Sequence, residues 1–139
     1  GDVQSIVSEN LEVDAFEIIN AIGEGKKQLA LDLIRSFLEH DSASDEKAAI
    51  IQLNALLSDQ MRSLAVTQDF IKSKVSDTQI IKLTGWKSGR LYIMKKIASR
   101  LRPHKILTTV PKLEAFDEEL KTSQTPPRVL LDMILAQIF

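Results

Sequence analysis

Several residue types are scarce or missing in this chain, and each absence removes a class of function. There is no cysteine, which excludes disulfides and thiolate metal sites and is compatible with a reducing compartment. The two histidines, His40 and His104, stand alone and match no metal-binding spacing. No apolar run approaches the ~18 residues that a membrane span needs, and no signal-peptide pattern opens the chain. We therefore expect a cytoplasmic protein with no metal, no cofactor and no membrane contact.

Glycine and proline are absent from Gln28 to Thr84, and no stretch alternates as a half-buried strand does. Apolar residues recur instead at intervals of three and four, as on the buried side of a helix. The pattern predicts an all-α fold, a bundle of six to eight helices. The length suits one domain with a single core. We expect residues 13–139 to form this domain and residues 1–12 to be a linker or the end of a preceding module.

Local signals predict where the helices begin and end. The expected helices span residues 2–8, 15–22, 26–40, 45–74, 77–84, 88–101, 103–120 and 128–138. Asp14 and Ser44 are candidate N-caps, and Pro103 suits a first helical turn. Pro111 should kink or interrupt the helix that contains it. The wide apolar face of residues 45–74 indicates a central helix that packs on more than one neighbour.

Charge is segregated along the chain, although the formal net charge is only −1. Residues 1–60 carry a net charge of −8, whereas residues 78–113 carry +9. No acidic residue lies between Asp77 and Glu114. The nine basic residues of this window are Lys82, Lys87, Arg90, Lys95, Lys96, Arg100, Arg102, Lys105 and Lys112. Such segregation favours one face that meets an anionic partner.

The same window holds the only tryptophan and the only tyrosine, Trp86 and Tyr92. It reads as two helices joined by a turn at Gly85. A cationic helical hairpin with two aromatic residues predicts contact with a phosphate backbone and stacking on unpaired bases. The spacing allows several of its bases to share one phosphate-facing stripe across the turn. The predicted nucleic-acid contacts are Lys82, Trp86, Lys87, Arg90, Tyr92, Lys95, Lys96 and Arg100.

Each of these features also has a purely structural interpretation. A charge run can be a solvated surface, and a tryptophan just after a turn glycine often packs a helix pair together. Residues 77–94 also align with a helix-turn-helix, with Ile80, Leu91 and Met94 as inward positions. The second helix, however, lacks the Asn or Gln that would read adenine. A helix-turn-helix DNA-binding regulator and a structural module without DNA contact therefore remain as alternatives.

The residue pattern offers little for catalysis. The acids Asp117, Glu118 and Glu119 are adjacent, so they point to different sides of a helix and do not form a paired acid and base. Gly23 and Gly25 lack the full phosphate-loop pattern and follow a helix, so they read as a helix cap. We expect a protein that is not an enzyme.

The last helix is unusually apolar, since nine of the eleven residues from Val129 onward are apolar. Such a helix either completes the core or contacts another subunit. Its apolar residues cover more than one face, so we expect part of it to meet a partner. The predicted subunit contacts are Leu130, Leu131, Ile134, Leu135 and Ile138.

Several degenerate motifs follow one another in an order that resembles a known family. Residues 15–25 read AFEIINAIGEG and run into ALDLI at residues 30–34. QMRSL at 60–64, IIKLTG at 80–85 and DEELKT at 117–122 follow. This order is similar to that of the C-terminal domain of the bacterial DNA polymerase III delta subunit, which belongs to the clamp loader.

The resemblance implies a helical collar domain that assembles with the delta-prime and gamma/tau subunits and has no chemistry of its own. In a clamp loader, such a basic surface could meet primer-template or single-stranded DNA. The family's clamp contact belongs to an N-terminal part outside this sequence. The resemblance therefore implies that the sliding clamp does not bind this stretch of chain.

Overall fold

The computed structural model describes residues 14–40 and 45–139, and within these ranges the chain forms seven helices and no strand. They are α1 (residues 14–23), α2 (Lys27–His40), α3 (Glu46–Lys72), α4 (Asp77–Thr84), α5 (Ser88–Ala98), α6 (Pro103–Thr122) and α7 (Pro127–Ile138). The prediction of an all-α bundle is confirmed. The expected helix over residues 2–8 and the separate segment 1–12 lie outside the described residues.

Helix α3 is the central element of the bundle. It packs against α2, α5, α6 and α7, and its side chains Met61 and Leu64 are fully buried. The prediction of a central helix with several neighbours is therefore confirmed. The N-cap of α3 is Asp45, whose carboxylate accepts a hydrogen bond from the Lys47 N–H at 3.0 Å, and the expected cap Ser44 lies outside the described residues. Both residue types can cap a helix, and the sequence does not choose between neighbours.

Helix α6 contains both of the prolines expected near its position. Pro103 occupies the first turn, where its missing N–H leaves no helical hydrogen bond unmade. Pro111 lies inside a helix that continues to Thr122, so of the two predicted effects, a kink or an interruption, the interruption is wrong. Because Pro111 has no N–H, the Leu107 carbonyl lacks its helical hydrogen-bond donor. Both residues lie at the surface, where water can donate a hydrogen bond to that carbonyl, so the helix can continue.

Side-chain amides of α3 hold two of the neighbouring helices. The Nδ2 atom of buried Asn54 donates to the Leu113 carbonyl of α6 at 2.9 Å. The Nε2 atom of Gln68 donates to the carbonyls of Ala98 and Leu101 at 3.1 Å and 2.7 Å. Because the last carbonyls of a helix lack helical donors, Gln68 satisfies groups that would otherwise need water. The C-terminal end of α5 is thereby fixed to α3.

Helix α7 packs with its apolar residues toward the core. Of the five residues predicted as subunit contacts, four are buried within the chain itself and Leu131 is half-buried. The buried four are Leu130, Ile134, Leu135 and Ile138. The large apolar residues of the same helix that are exposed are Val129 and Met133, with 47% and 50% of their surface accessible. In the folded chain a partner could therefore reach α7 only by its outer side.

Two lysines of α6 cap the end of α7. Lys105 Nζ donates to the Ile138 carbonyl, and Lys112 Nζ donates to the Gln137 carbonyl at 2.8 Å. Lys105 also lies 5.7 Å from the centre of the Phe139 ring. Partial burial lowers the pKa of the Lys105 ammonium, and the nearby charge of Lys112 adds to that decrease. Cations at a helix C-terminus stabilise it, so these two bases serve the fold.

Gly23 marks a close contact between the end of α1 and the segment after α5. A Cβ atom at Gly23 would lie 2.3 Å from Leu101 Cδ1, whereas one at Gly89 in α5 would meet nothing within 4 Å. Leu101 is only 5% exposed, so its methyl group has little room to move. We therefore expect Gly23→Ala to lower the free energy of unfolding by about 1 kcal/mol, because overpacking outweighs the gain in helix propensity. The matched Gly89→Ala should raise it by about 0.5 kcal/mol. Urea denaturation followed by circular dichroism measures both, and equal stabilisation by the two changes would contradict the close contact.

Candidate nucleic-acid interface

The hairpin of α4 and α5 is built by local signals at each of its ends. Ser76 caps α4 and accepts a hydrogen bond from the Gln79 N–H at 3.2 Å. Gly85 ends α4 with φ of 76°, a left-handed conformation that favours glycine, as the sequence predicts for this turn. The Thr84 hydroxyl accepts a hydrogen bond from the Trp86 N–H at 3.1 Å. The hydrogen bond to Thr84 fixes the backbone of Trp86 directly after the turn.

Trp86 is half-buried and packs against the hydrophobic core. The guanidinium carbon of Arg90 lies 5.5 Å from the centre of its ring, within cation–π range. The core-packing interpretation of Trp86 is therefore the one that the structure supports. Arg90 is itself half-buried and lies over the Trp86 ring. It is therefore not an exposed cation of the phosphate-facing stripe that the sequence spacing allows.

Tyr92 lies on the opposite, outer side of α5, and 70% of its surface is accessible. Lys96 follows it four residues later on the same side of α5. Arg100 lies just beyond the end of α5 and lines the same groove as Tyr92 and Lys96. Both cations are exposed. The buried residues of α5, among them Leu91 and Met94, lie on the other side. We call Tyr92, Lys96 and Arg100 the outer stripe.

Two grooves run along α5, one on each side of Tyr92 and Lys96, which line both. The α4–α5 groove has a volume of about 600 Å³. Across it, Lys95 Nζ forms an ion pair with Asp77 Oδ1 at 2.7 Å. The second groove, of about 220 Å³, lies between α1 and α5, and Arg100 lines it too. The outer stripe is thus the part of the basic segment that combines an exposed ring with cations beside a concave surface.

The structure brings only some of the predicted nucleic-acid contacts together. Lys82 and Lys87 are exposed near the hairpin turn, whereas Lys95 is engaged by Asp77. Two further bases of the window, Lys105 and Lys112, bind the end of α7 instead. Some bases of the segment between Asp77 and Glu114 therefore face solvent, whereas others form contacts within the fold.

Sequence reasoning did not identify Glu17 and Asn20 of α1, which face the outer stripe across the α1–α5 groove. No local signal marks them, because they come together with α5 only through the tertiary fold. Among the described residues, no group of three or more potential ligands could hold a metal ion. No helix in the described part of the chain is both long and apolar enough to cross a membrane.

Comparison with known proteins shows which family this helical bundle belongs to. The family profile of the DNA polymerase III delta subunit, C-terminal domain, matches residues 12–138. The chain belongs to this family. The resemblance noted in the motifs is therefore confirmed over nearly the whole sequence.

A known sequence and a solved structure, both from Bacillus subtilis, are similar to this delta C-terminal domain. The chain is 25% identical over 137 residues to DNA polymerase III subunit delta of strain 168, covering 99% of the chain and 38% of that protein. The solved structure of the Bacillus subtilis DNA clamp loader delta protein superposes with a TM-score of 0.79 at 25% identity. The alignment covers 99% of the chain and 39% of that protein. The chain thus spans about two fifths of the length of these relatives.

These similarities give no support to the helix-turn-helix regulator. The inward positions of that alternative, Ile80, Leu91 and Met94, are indeed buried. A helical hairpin that packs on a core buries the same positions, however, so their burial does not favour a regulator. The family match covers the hairpin together with the rest of the bundle.

Proposed function

We propose that the chain is the collar module of a clamp-loader delta subunit, which assembles with delta-prime and gamma/tau subunits in the cytoplasm during replication. The observation that carries this proposal is the family match over residues 12–138, together with the shared fold of the clamp loader delta protein. The module would be an assembly and binding element, and the chemistry of the machine would belong to other parts.

The surface proposed for assembly includes the outer side of α7. The predicted contacts on this helix are mostly core residues in the folded chain, so the outward apolar residues Val129 and Met133 take that role in the proposal. Met133 also lines a shallow groove between α6 and α7, together with Ala115 and Gln137. Exposed apolar side chains beside a groove are typical of a surface that another helix covers.

The surface proposed for DNA is the outer stripe, with Lys82 and Lys87 as flanking cations. Exposed cations attract a phosphate backbone, and an exposed tyrosine offers a stacking face to an unpaired base. Primer-template junctions present both groups, because unpaired template bases continue from a duplex. The proposal therefore assigns DNA contact to Tyr92, Lys96 and Arg100, with Trp86 and Arg90 as supports of the hairpin.

Co-purification tests the assembly proposal. Tagged chain, mixed with delta-prime and gamma/tau subunits, should retain both partners and should not retain the sliding clamp. Because truncating α7 would remove buried core residues, the sharper variant is Val129→Asp/Met133→Asp, which changes only exposed positions. We expect this variant to fold normally and to lose most of the retained partners.

The matched control is Leu107→Asp, which places a charge at a position on α6 that is 70% exposed and should leave retention unchanged. If the unaltered chain retains neither partner, the collar assignment is wrong. If the α7 variant retains them as well as the unaltered chain does, assembly uses another face.

A further inference from the structure

We infer that the α1–α5 groove receives one unpaired nucleobase, so that the basic surface selects single-stranded over double-stranded DNA. The inference rests on the proposed DNA contact of the outer stripe and adds the class of DNA and the place of the base. It also assigns a recognition role to two residues of α1 that carry no positive charge.

The groove is lined by apolar, aromatic and cationic side chains, which suit the ring and the phosphate of a nucleotide. Its floor includes Phe16 and Ile97, which are only 7% and 5% exposed and offer an apolar surface to a ring. The exposed Tyr92 ring stands at one wall. Lys96 and Arg100 line the same wall, where they can meet the phosphate that stays outside. Apolar floor, aromatic face and cationic rim therefore occur on one concave surface.

The opposite wall carries groups suited to the edge of a base. Glu17 and Asn20 both line the groove from α1, three residues apart and so on the same side of that helix. A carboxylate repels phosphate but accepts hydrogen bonds from an exocyclic amino group, as Glu does from cytosine N4. An amide both donates and accepts. We therefore place the base edge toward α1 and the phosphate toward α5.

The larger α4–α5 groove does not offer this arrangement. Its acid, Asp77, is already paired with Lys95, and its other polar lining besides Lys96 comes from Ser88 and the Tyr92 hydroxyl. A base in that groove would meet a carboxylate whose charge Lys95 already neutralises, and no side-chain amide. The smaller groove is therefore the better fit.

A duplex cannot present a base to a groove of this kind unless the base leaves its stack, which costs a few kcal/mol. The chain should therefore bind single strands more tightly than duplex of the same length and charge. Within single strands, a base with an amino group should be preferred. We expect oligo(dC) to bind about fivefold or more tightly than oligo(dT), the lower end of what a direct base contact contributes.

The decisive variant is Glu17→Leu, which removes both the charge and the hydrogen-bond acceptor, measured by fluorescence anisotropy with labelled oligo(dC), oligo(dT) and a duplex of equal length. Removing a negative charge should tighten the binding of every oligonucleotide, because repulsion of phosphate falls. Losing the carboxylate should at the same time reduce the ratio of oligo(dC) to oligo(dT) affinity toward one. A residue that acts only through its charge would change both affinities and leave their ratio unchanged. The control is Glu39→Leu, an exposed acid of α2 outside the groove, which should leave the ratio as it is.

The outcomes separate this inference from the proposal on which it rests. If single strands and duplex bind equally, and Lys96→Glu/Arg100→Glu weakens both, the outer stripe binds backbone only and the inference is overturned. A base preference that survives in Glu17→Leu also overturns it. If no DNA binds at all, the proposed DNA contact fails as well.

Discussion

Exchanging Lys96 and Arg100 together for glutamate is expected to weaken binding of a single-stranded oligonucleotide by on the order of 100-fold at low salt. Each exchange removes one attraction and adds one repulsion, and each such term amounts to about 1 kcal/mol for charges about 4 Å apart in water. Screening by salt reduces the sum. The loss of two phosphate contacts should also reduce the slope of log K against log salt by about 1.4.

The control for this double exchange is Lys27→Glu/Arg35→Glu on α2, which changes the net charge by the same amount. Both residues are exposed, lie in the acidic half of the sequence and line neither groove beside the outer stripe. Anisotropy titrations over a range of salt concentrations compare the two variants. An equal loss of affinity in both would show that overall charge, and not the outer stripe, governs DNA binding.

Leu64→Ala is expected to lower the free energy of unfolding by about 3–4 kcal/mol, a large part of the stability of a domain of this size. Leu64 is fully buried in α3 among side chains of the main core. Its truncation removes apolar contacts and leaves a cavity that the surrounding helices can fill only in part. Urea denaturation measures the loss.

Val66→Ala provides the comparison on the same helix, two residues away. Val66 is 45% exposed, so its truncation should change the free energy of unfolding by no more than about 0.5 kcal/mol. Similar losses at both positions would mean that α3 is not the central helix in solution.

The helices themselves could be predicted from the sequence because their signals are local. The bounds of α4 follow from Ser76 and Gly85, which cap its two ends within a few residues of chain. Pro103 likewise marks the start of α6. The apolar spacing of α3 predicted a helix with several neighbours, since a wide face can be buried only by more than one partner.

The candidate site was predictable only in part because side-chain partners depend on the tertiary fold. A count of charges placed Lys105 in the same group as Lys96, yet one binds a carbonyl of α7 and the other lies at the surface. Arg90 could not be separated from Arg100 until the position of the Trp86 ring was known. The residues of α1 that face Tyr92 carry no local signal at all.

The two hydrogen bonds from Gln68 to the end of α5 have a thermodynamic consequence for ligand association. A disordered basic segment would lose conformational entropy on binding a polyanion. This loss costs about 1–2 kcal/mol for each residue whose backbone becomes fixed. Here that ordering already occurs when the chain folds, because Gln68 holds the last turn of α5, next to Lys96 and Arg100, and limits its fraying. Calorimetry of oligonucleotide association should accordingly show none of the large negative heat-capacity change that accompanies folding coupled to binding.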